Sequence, residues 1–215
     1  MVLSLAVSAQ ALDKAELDGR IRNLANKFEA MQAKPDKRIP AETLRRAQGL
    51  ILLDRTKAGF VFAFQGGGGV AMVKDPATRA WSAPAFVSAN EASLGLQIGG
   101  QQSFMVILLM NTNAARKLTE GSFDFGGEAS GTAGNSTGGV EGSISSNEQL
   151  AIVYGDSTGL YGGVAIKGGS LTPDSNADIV YYGQYLTASE ILFGHAVKPS
   201  DTAAQLARKI EHFSK

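Results

Sequence analysis

Two histidines, His195 and His212, are the only side chains of the 215 residues whose ordinary pKa lies near neutrality, and both sit close to the C-terminus. A Ser–His–Asp arrangement needs one of them held between a nucleophile and a carboxylate. No G-x-S-x-G elbow presents such a serine. His195 follows Ile191-Leu192-Phe193-Gly194 in a helix-stop context, and His212 stands beside Glu211 on a solvated helix face. The sequence has no cysteine, so a thiol nucleophile, a disulfide scaffold and a Cys-based metal site are excluded. Asp174-Ser175-Asn176-Ala177-Asp178 begins like a calcium loop but lacks the glycine and the later glutamate that such a loop requires. The run Gly66, Gly67, Gly68, Gly69 invites a phosphate-loop reading. Val70-Ala71-Met72 follows it, however, where a Walker loop needs Lys and Ser/Thr and a dinucleotide fingerprint needs the start of a helix. The chain therefore reads as non-enzymatic, without metal or cofactor, and the glycines read as a tight turn.

What remains is charge. Formal net charge is zero, yet Lys34 to Lys57 holds seven basic residues (Lys34, Lys37, Arg38, Arg45, Arg46, Arg55, Lys57) against three acids. Leu118 to Ile166 holds six acids and no Lys or Arg. The basic run is either a surface for anionic partners or a solvated face balanced by the acidic one. Neither overall charge nor any motif suits nucleic acid.

The elements around these residues are legible in part. Leu17, Ile21, Leu24, Phe28 and Met31 make one apolar stripe on a helix over 13–33. Its polar face carries Lys14, Arg20, Arg22 and Lys27, balanced by Asp13, Glu16, Asp18 and Glu29. Packing on the domain is the preferred reading of the stripe, and a membrane-surface helix the other. A short helix runs from Pro40 to Gln48, with Gly49 as its C′ stop. Leu50–Leu53 is a short strand. Phe60, Phe62 and Phe64 alternate as in a strand, the glycines turn the chain, and Asp75–Thr78 turns it again before a strand over Trp81–Val87. Ser93–Gly99 alternates like a half-buried strand, and Phe104–Met110 is apolar throughout, as in a strand buried on both faces. Asn111–Asn113 caps a helix over Ala114–Leu118. Gly121–Ser145 predicts two strands around a mobile loop at Thr132–Gly139. Leu150–Tyr154 and Leu160–Ile166 read as a hairpin.

Helices over Asn176–Tyr182, Ala188–Phe193 (Thr187 and Glu190 as capping box) and from Pro199 onward complete the chain. Tyr154, Tyr161, Tyr181, Tyr182 and Tyr185 either seal the sheet against these helices or form an amphipathic rim. The fold class is α+β: a mostly antiparallel, curved or barrel-like sheet with an N-terminal amphipathic helix and C-terminal helices packed around it. Two small sheets sharing a helical cap are the alternative.

Lys57-Ala58-Gly59-Phe60, the glycine run and Trp81-Ser82-Ala83-Pro84 resemble the signature of the SYLF domain, the yeast-type actin-binding domain of actin-patch proteins. Ile39-Pro40-Ala41, Ala47-Gln48-Gly49-Leu50 and Ile191-Leu192-Phe193-Gly194 extend the match in the same order. The resemblance implies peripheral binding to anionic phospholipid or phosphoinositide membranes, or a protein partner, as in the actin-binding relatives. It adds no catalytic residue. Candidate lipid contacts are Lys14, Arg20, Arg22, Lys27, Lys34, Lys37, Arg38, Arg45, Arg46 and Lys57. Gly59, Gly66, Gly67, Gly68, Gly69, Trp81 and Pro84 are family-motif positions read as structural. Relatives often carry a Pro and a Gly-Arg pair near 132–139, and this chain has neither, which weakens transfer of phosphoinositide specificity.

Val2–Val7 is apolar and Ala9-Gln10-Ala11 has the form of a signal-peptidase site, although the basic leader is missing. The reading is a truncated signal peptide over 1–11 and a single exported domain over 12–215, periplasmic and peripherally membrane-associated. There the anionic lipid would be phosphatidylglycerol or cardiolipin. The alternative is an ordinary start to an amphipathic helix.

Overall fold

The computed structural model describes residues 12–55, 66–90, 103–125, 140–145, 148–157 and 169–215. Among the described residues eight strands form one antiparallel sheet in the order β5-β8-β3-β2-β1-β4-β7-β6. Their ranges are β1 Gly49–Arg55, β2 Gly66–Val73, β3 Ala85–Asn90, β4 Ser103–Leu109, β5 Phe123–Phe125, β6 Val140–Ser145, β7 Glu148–Ser157 and β8 Gly169–Pro173. The helices are α1 Lys14–Gln32, α2 Ala41–Arg46, α3 Thr112–Lys117, α4 Ser175–Tyr182, α5 Ala188–Leu192 and α6 Asp201–Phe213. This is the expected α+β class, with one sheet rather than two.

The apolar runs Leu50–Leu53 and Phe104–Leu109 lie at the centre, where β1 pairs with β2 and β4. Strand alternation sends Leu50, Leu52, Val106 and Leu108 to one face, against α1, α2, α4 and α6. It sends Ile51, Leu53, Ile107 and Leu109 to the other, against α3 and α5. Unbroken hydrophobicity is what such double burial demands. The stripe of α1 is fully used here: Leu17, Ile21, Leu24, Phe28 and Met31 are all buried. It packs on the domain and is not free to enter a bilayer in this conformation. No described helix is long and apolar enough to cross a membrane.

Several boundaries differ from expectation for identifiable reasons. Gly66–Gly69 is not a turn but the first half of β2, paired with β3 throughout and with β1 at Gly68 and Gly69. Lacking side chains, these residues let neighbouring groups approach the backbone. A Cβ on Gly69 would overlap the Leu52 carbonyl oxygen, and one on Gly68 would press on the Arg20 guanidinium. Gly49 is not the stop of α2. Ala47 ends that helix in extended conformation, and Gly49 opens β1, where a Cβ would lie 3.1 Å from Leu109 Cδ1. Pro40 is the N-cap of α2 rather than part of its first turn. Trp81 makes one bridge to Lys74, and β3 begins only at Ala85. The two strands expected in Gly121–Ser145 lie at opposite edges of the sheet, β5 on β8 and β6 on β7. Strand β7 is paired on both sides, by β4 and β6. Its expected hairpin partner Leu160–Ile166 lies outside the described residues, as do Phe60–Phe64, Ser93–Gly99, Thr132–Gly139 and residues 1–11.

The caps follow their residues. Asp13, Asn111, Asp174 and Ser200 each accept the N–H of a first-turn residue, and Thr187 with Glu190 forms the capping box. Gly183 closes α4 at φ 68°. Where the β8 ladder stops at Pro173, which has no N–H, α4 takes over the edge of β3. The Asp174 N–H donates to the Phe86 carbonyl at 2.9 Å, and the Phe86 N–H donates to Asp178 Oδ1 at 2.9 Å. Burial pushes the Asp178 carboxyl up to about 7, the Phe86 N–H opposes this, and Asp174 adds to it.

Candidate binding surface

The basic residues of α1 divide by where the helix turns them. Arg20 and Lys27 face the sheet. Arg20 lies over the Phe86 ring at 5.9 Å, in the space left by Gly68, with Nη1 buried and unpartnered. Lys27 Nζ donates to Asp54 Oδ2 at 2.5 Å, and Asn23 Nδ2 reaches the same oxygen at 3.4 Å. Arg20 and Lys27 are thus tied into the α1–sheet contact rather than offered to a ligand. Lys14 and Arg22 are exposed, and Lys14 Nζ lies 5.6 Å from the centre of the Tyr181 ring. Tyr181 donates to Asp18 Oδ1 at 2.8 Å and shares a 2.6 Å hydrogen bond with Ser200 Oγ, joining α1, α4 and the start of α6. Burial pushes its hydroxyl up to about 12.

After α1, Gln32 holds the connection to α2: its Oε1 accepts the Ile39 N–H at 2.8 Å. Lys34 and Lys37 are half-buried along this connection, and Arg38 is exposed. Arg45 and Arg46 end α2 and are exposed. Lys57 and Gly59 lie outside the described residues.

The signature around Trp81 meets the end of α2. Trp81 is 6% exposed, and its ring carries the Lys74 ammonium 4.9 Å from its centre. Lys74 Nζ donates to the Leu44 carbonyl at 3.1 Å and to the Arg45 carbonyl at 3.0 Å. Burial brings the Lys74 pKa down to about 8, with nearby Arg79 in the same direction and Glu211 opposing. Arg79 holds a left-handed φ of 63°. It donates to Gln48 Oε1 at 2.9 Å and to the Arg45 carbonyl at 3.3 Å. The last carbonyls of α2 are thereby covered by cations, the favourable arrangement for a helix C-terminus. Pro84 is buried, and its carbonyl accepts the Tyr182 hydroxyl at 2.6 Å. Trp81 is thus packed into the core, and Pro84 is tied through its carbonyl to α4. Of the tyrosines, Tyr181 is buried and Tyr182 half-buried against the sheet, whereas Tyr185 is 72% exposed.

Lys74 and Arg79 escaped the sequence reading. The available signal was the Asp75–Thr78 turn, which must bring its two flanks, Lys74 and Arg79–Trp81, side by side. Asp75 shapes this turn: Oδ1 accepts the Ala77 and Thr78 N–H groups and the Thr78 hydroxyl, which hold its carboxyl below the usual range. Its other oxygen lies 3.2 Å from His195 Nε2. His195 itself sits at φ 50° after α5, and its imidazole reaches the Asp75 turn. His212 packs edge-on against Phe213 on α6. Among the described residues no three His, Asp or Glu side chains converge as metal ligands would.

Comparison with known proteins places this architecture. Residues 90–213 match the family model described as Ysc84, Las17-binding protein actin regulator. SH3 domain-containing YSC84-like protein 1 of Xenopus laevis is 32% identical over 183 residues, covering 84% of this chain and 54% of the relative. The Homo sapiens protein of the same name is 32% identical over 168 residues, covering 77% and 49%. LAS seventeen-binding protein 3 of Saccharomyces cerevisiae is 31% identical over 182 residues, covering 82% and 39%. The chain thus spans about half the length of the vertebrate relatives, and less of the yeast one. No solved structure matches it. The family model begins at residue 90, beyond the basic run and the Trp81 signature, but the relatives extend over most of the chain. On both grounds the chain belongs to the Ysc84 family, the SYLF-type modules that its sequence resembles.

Proposed function

We propose that this domain is a non-catalytic module that binds a protein partner of the actin-regulatory kind. The carrying observation is its membership of a family described as Las17-binding actin regulators. The burial of the α1 stripe agrees with it, because the apolar stripe that a membrane-surface helix would insert is spent inside the fold. The test is co-sedimentation of the full chain with filamentous actin, and with actin plus a Las17-type protein. Saturable recovery in the pellet is expected. Recovery no greater than without actin, in both assays, overturns the reading.

A second reading is peripheral binding to anionic phospholipid. It is favoured by Lys14, Arg22, Arg38, Arg45 and Arg46, all exposed and none in an ion pair among the described residues. With the stripe buried, such binding would rest on charge, at about 1 kcal/mol per basic residue near the surface. It predicts salt-sensitive co-sedimentation with phosphatidylglycerol or cardiolipin vesicles and none with neutral ones. Equal recovery with both would sink it. Location separates the two readings, since an exported chain meets no actin. N-terminal sequencing of the native protein decides this: a start near Leu12 supports export, and retention of residues 1–11 opposes it.

A further inference from the structure

We infer that the end of α2 and the turn at 75–80 form the docking surface for an acidic protein partner, with Arg45, Arg46 and Arg79 as its charged contacts. This rests on the protein-binding reading and adds where the partner sits. Three observations carry it.

The first is backbone conformation. Arg79 is exposed and held at φ 63°, where glycine is at ease and a long side chain is uncommon. Its guanidinium is fixed beside the end of α2 by the Gln48 and Arg45 acceptors. Two of its five N–H groups are engaged there, leaving three for a partner.

The second is charge. Lys74 and Arg79 cover the Leu44 and Arg45 carbonyls, so the negative end of α2 is already compensated. Arg45 and Arg46 then add positive charge without an ion pair among the described residues. Of the acids nearby, Asp75 serves its own turn and lies 3.2 Å from His195. Glu42 on α2 and Glu211, close enough to Lys74 to act on its charge, form no ion pair with Arg45, Arg46 or Arg79 among the described residues.

The third is rigidity. The turn is closed by the Asp75 N–H to the Ala80 carbonyl and the Arg79 N–H to the Asp75 carbonyl, both at 2.8 Å, and anchored by buried Trp81. A preorganised surface lowers the ordering cost of binding. A headgroup layer asks only for positive charge. A guanidinium fork matches carboxylate and phosphate alike, and carboxylates fixed on a protein are the occupant argued for because the surface is rigid and the family is described as binding a protein.

The test uses the full chain with filamentous actin as the acidic polymer, and vesicles of phosphatidylcholine with and without phosphatidylglycerol. The variants are Arg45→Glu, Arg79→Gly and the control Lys117→Glu, an exposed reversal on α3 at the opposite face of the sheet. Arg79→Gly removes the guanidinium while leaving a residue at ease with the backbone angle, so it should fold. Circular dichroism and a melting curve verify each variant. Arg45→Glu and Arg79→Gly are each expected to weaken actin binding about tenfold, Lys117→Glu less than twofold, and salt to weaken the parent. Parent binding unchanged by folded Arg45→Glu and Arg79→Gly overturns this surface and leaves the protein-binding reading standing. A parent that does not bind actin, alone or with the Las17-type protein, overturns both. Loss of vesicle binding in these variants, with actin binding kept, overturns the choice of occupant and assigns the surface to lipid.

Discussion

The two faces of the sheet are both buried, but they are built from different residues. The face under α1, α2, α4 and α6 carries Phe28, Trp81, Phe86, Phe104 and Tyr181. The face under α3 and α5 carries Ala71, Ala83, Ala85, Ala89, Ala114, Ala115, Ala151 and Ala188, with Phe123 its one buried aromatic residue among those described. Large side chains fill the space under long helices, and alanines let short helices approach the strands closely. Adjacent residues of one strand therefore face opposite packing demands: Phe86 on the first side, Ala85 on the second. Stability on the first face is set by what is removed, and on the second by what is added.

The largest effect tests the glycine strand that both faces share. Gly69→Ala places a methyl group on the Leu52 carbonyl oxygen, a backbone atom that cannot move aside without parting β1 from β2. We expect loss of the cooperative unfolding transition, or about 3 kcal/mol or more of stability in urea titration. Gly68→Ala should be far milder, because its neighbour is the movable end of Arg20. Equal costs would refute this account of β2. Phe86→Ala comes next, at about 3–5 kcal/mol, since the ring is fully buried and packs edge-on against Tyr181. Ala85→Leu on the opposite face should cost about 1–3 kcal/mol through overpacking. If it costs nothing, the alanine face has room and the contrast fails.

The Asp178 carboxyl provides a pH test of the same α4–β3 contact. Its folded pKa, about 7, lies above its ordinary value of 3.8, so the folded state holds this proton more tightly. The resulting stability is fully present below about pH 4 and is lost as pH rises through about 7. Its full size is on the order of 4 kcal/mol. Comparing parent and Asp178→Asn by denaturation at pH 5.0 and 7.5 isolates it. The parent's extra loss on raising pH should disappear in the variant, and an identical slope would remove Asp178 from the account. The smallest effect is expected at Tyr185, whose ring is mostly exposed: Tyr185→Ala should change stability by less than about 0.5 kcal/mol. A larger loss would show that Tyr185 belongs to the sealed face.

The sequence by itself determined the helices, their caps and the two central strands. These are decided locally: by the stripe Leu17–Ile21–Leu24–Phe28–Met31, by Asn111 and Thr187 next to the N–H groups they accept, and by apolar runs too continuous for anything but double burial. It also supplied the family resemblance. Only the tertiary structure decided what the glycines do. A run without side chains is locally compatible with a turn or a strand, and the pairing of β2 with β1 and β3 settles it. The same holds for the charges. Whether a cation faces solvent depends on partners distant in sequence, such as Asp54 for Lys27 and Gly68 for Arg20. Arg79 joined the surface at the end of α2 only because the turn of β2 into β3 carries it there. Local rules fix conformation and which side of an element is apolar, and long-range packing fixes which charged groups are left for a partner.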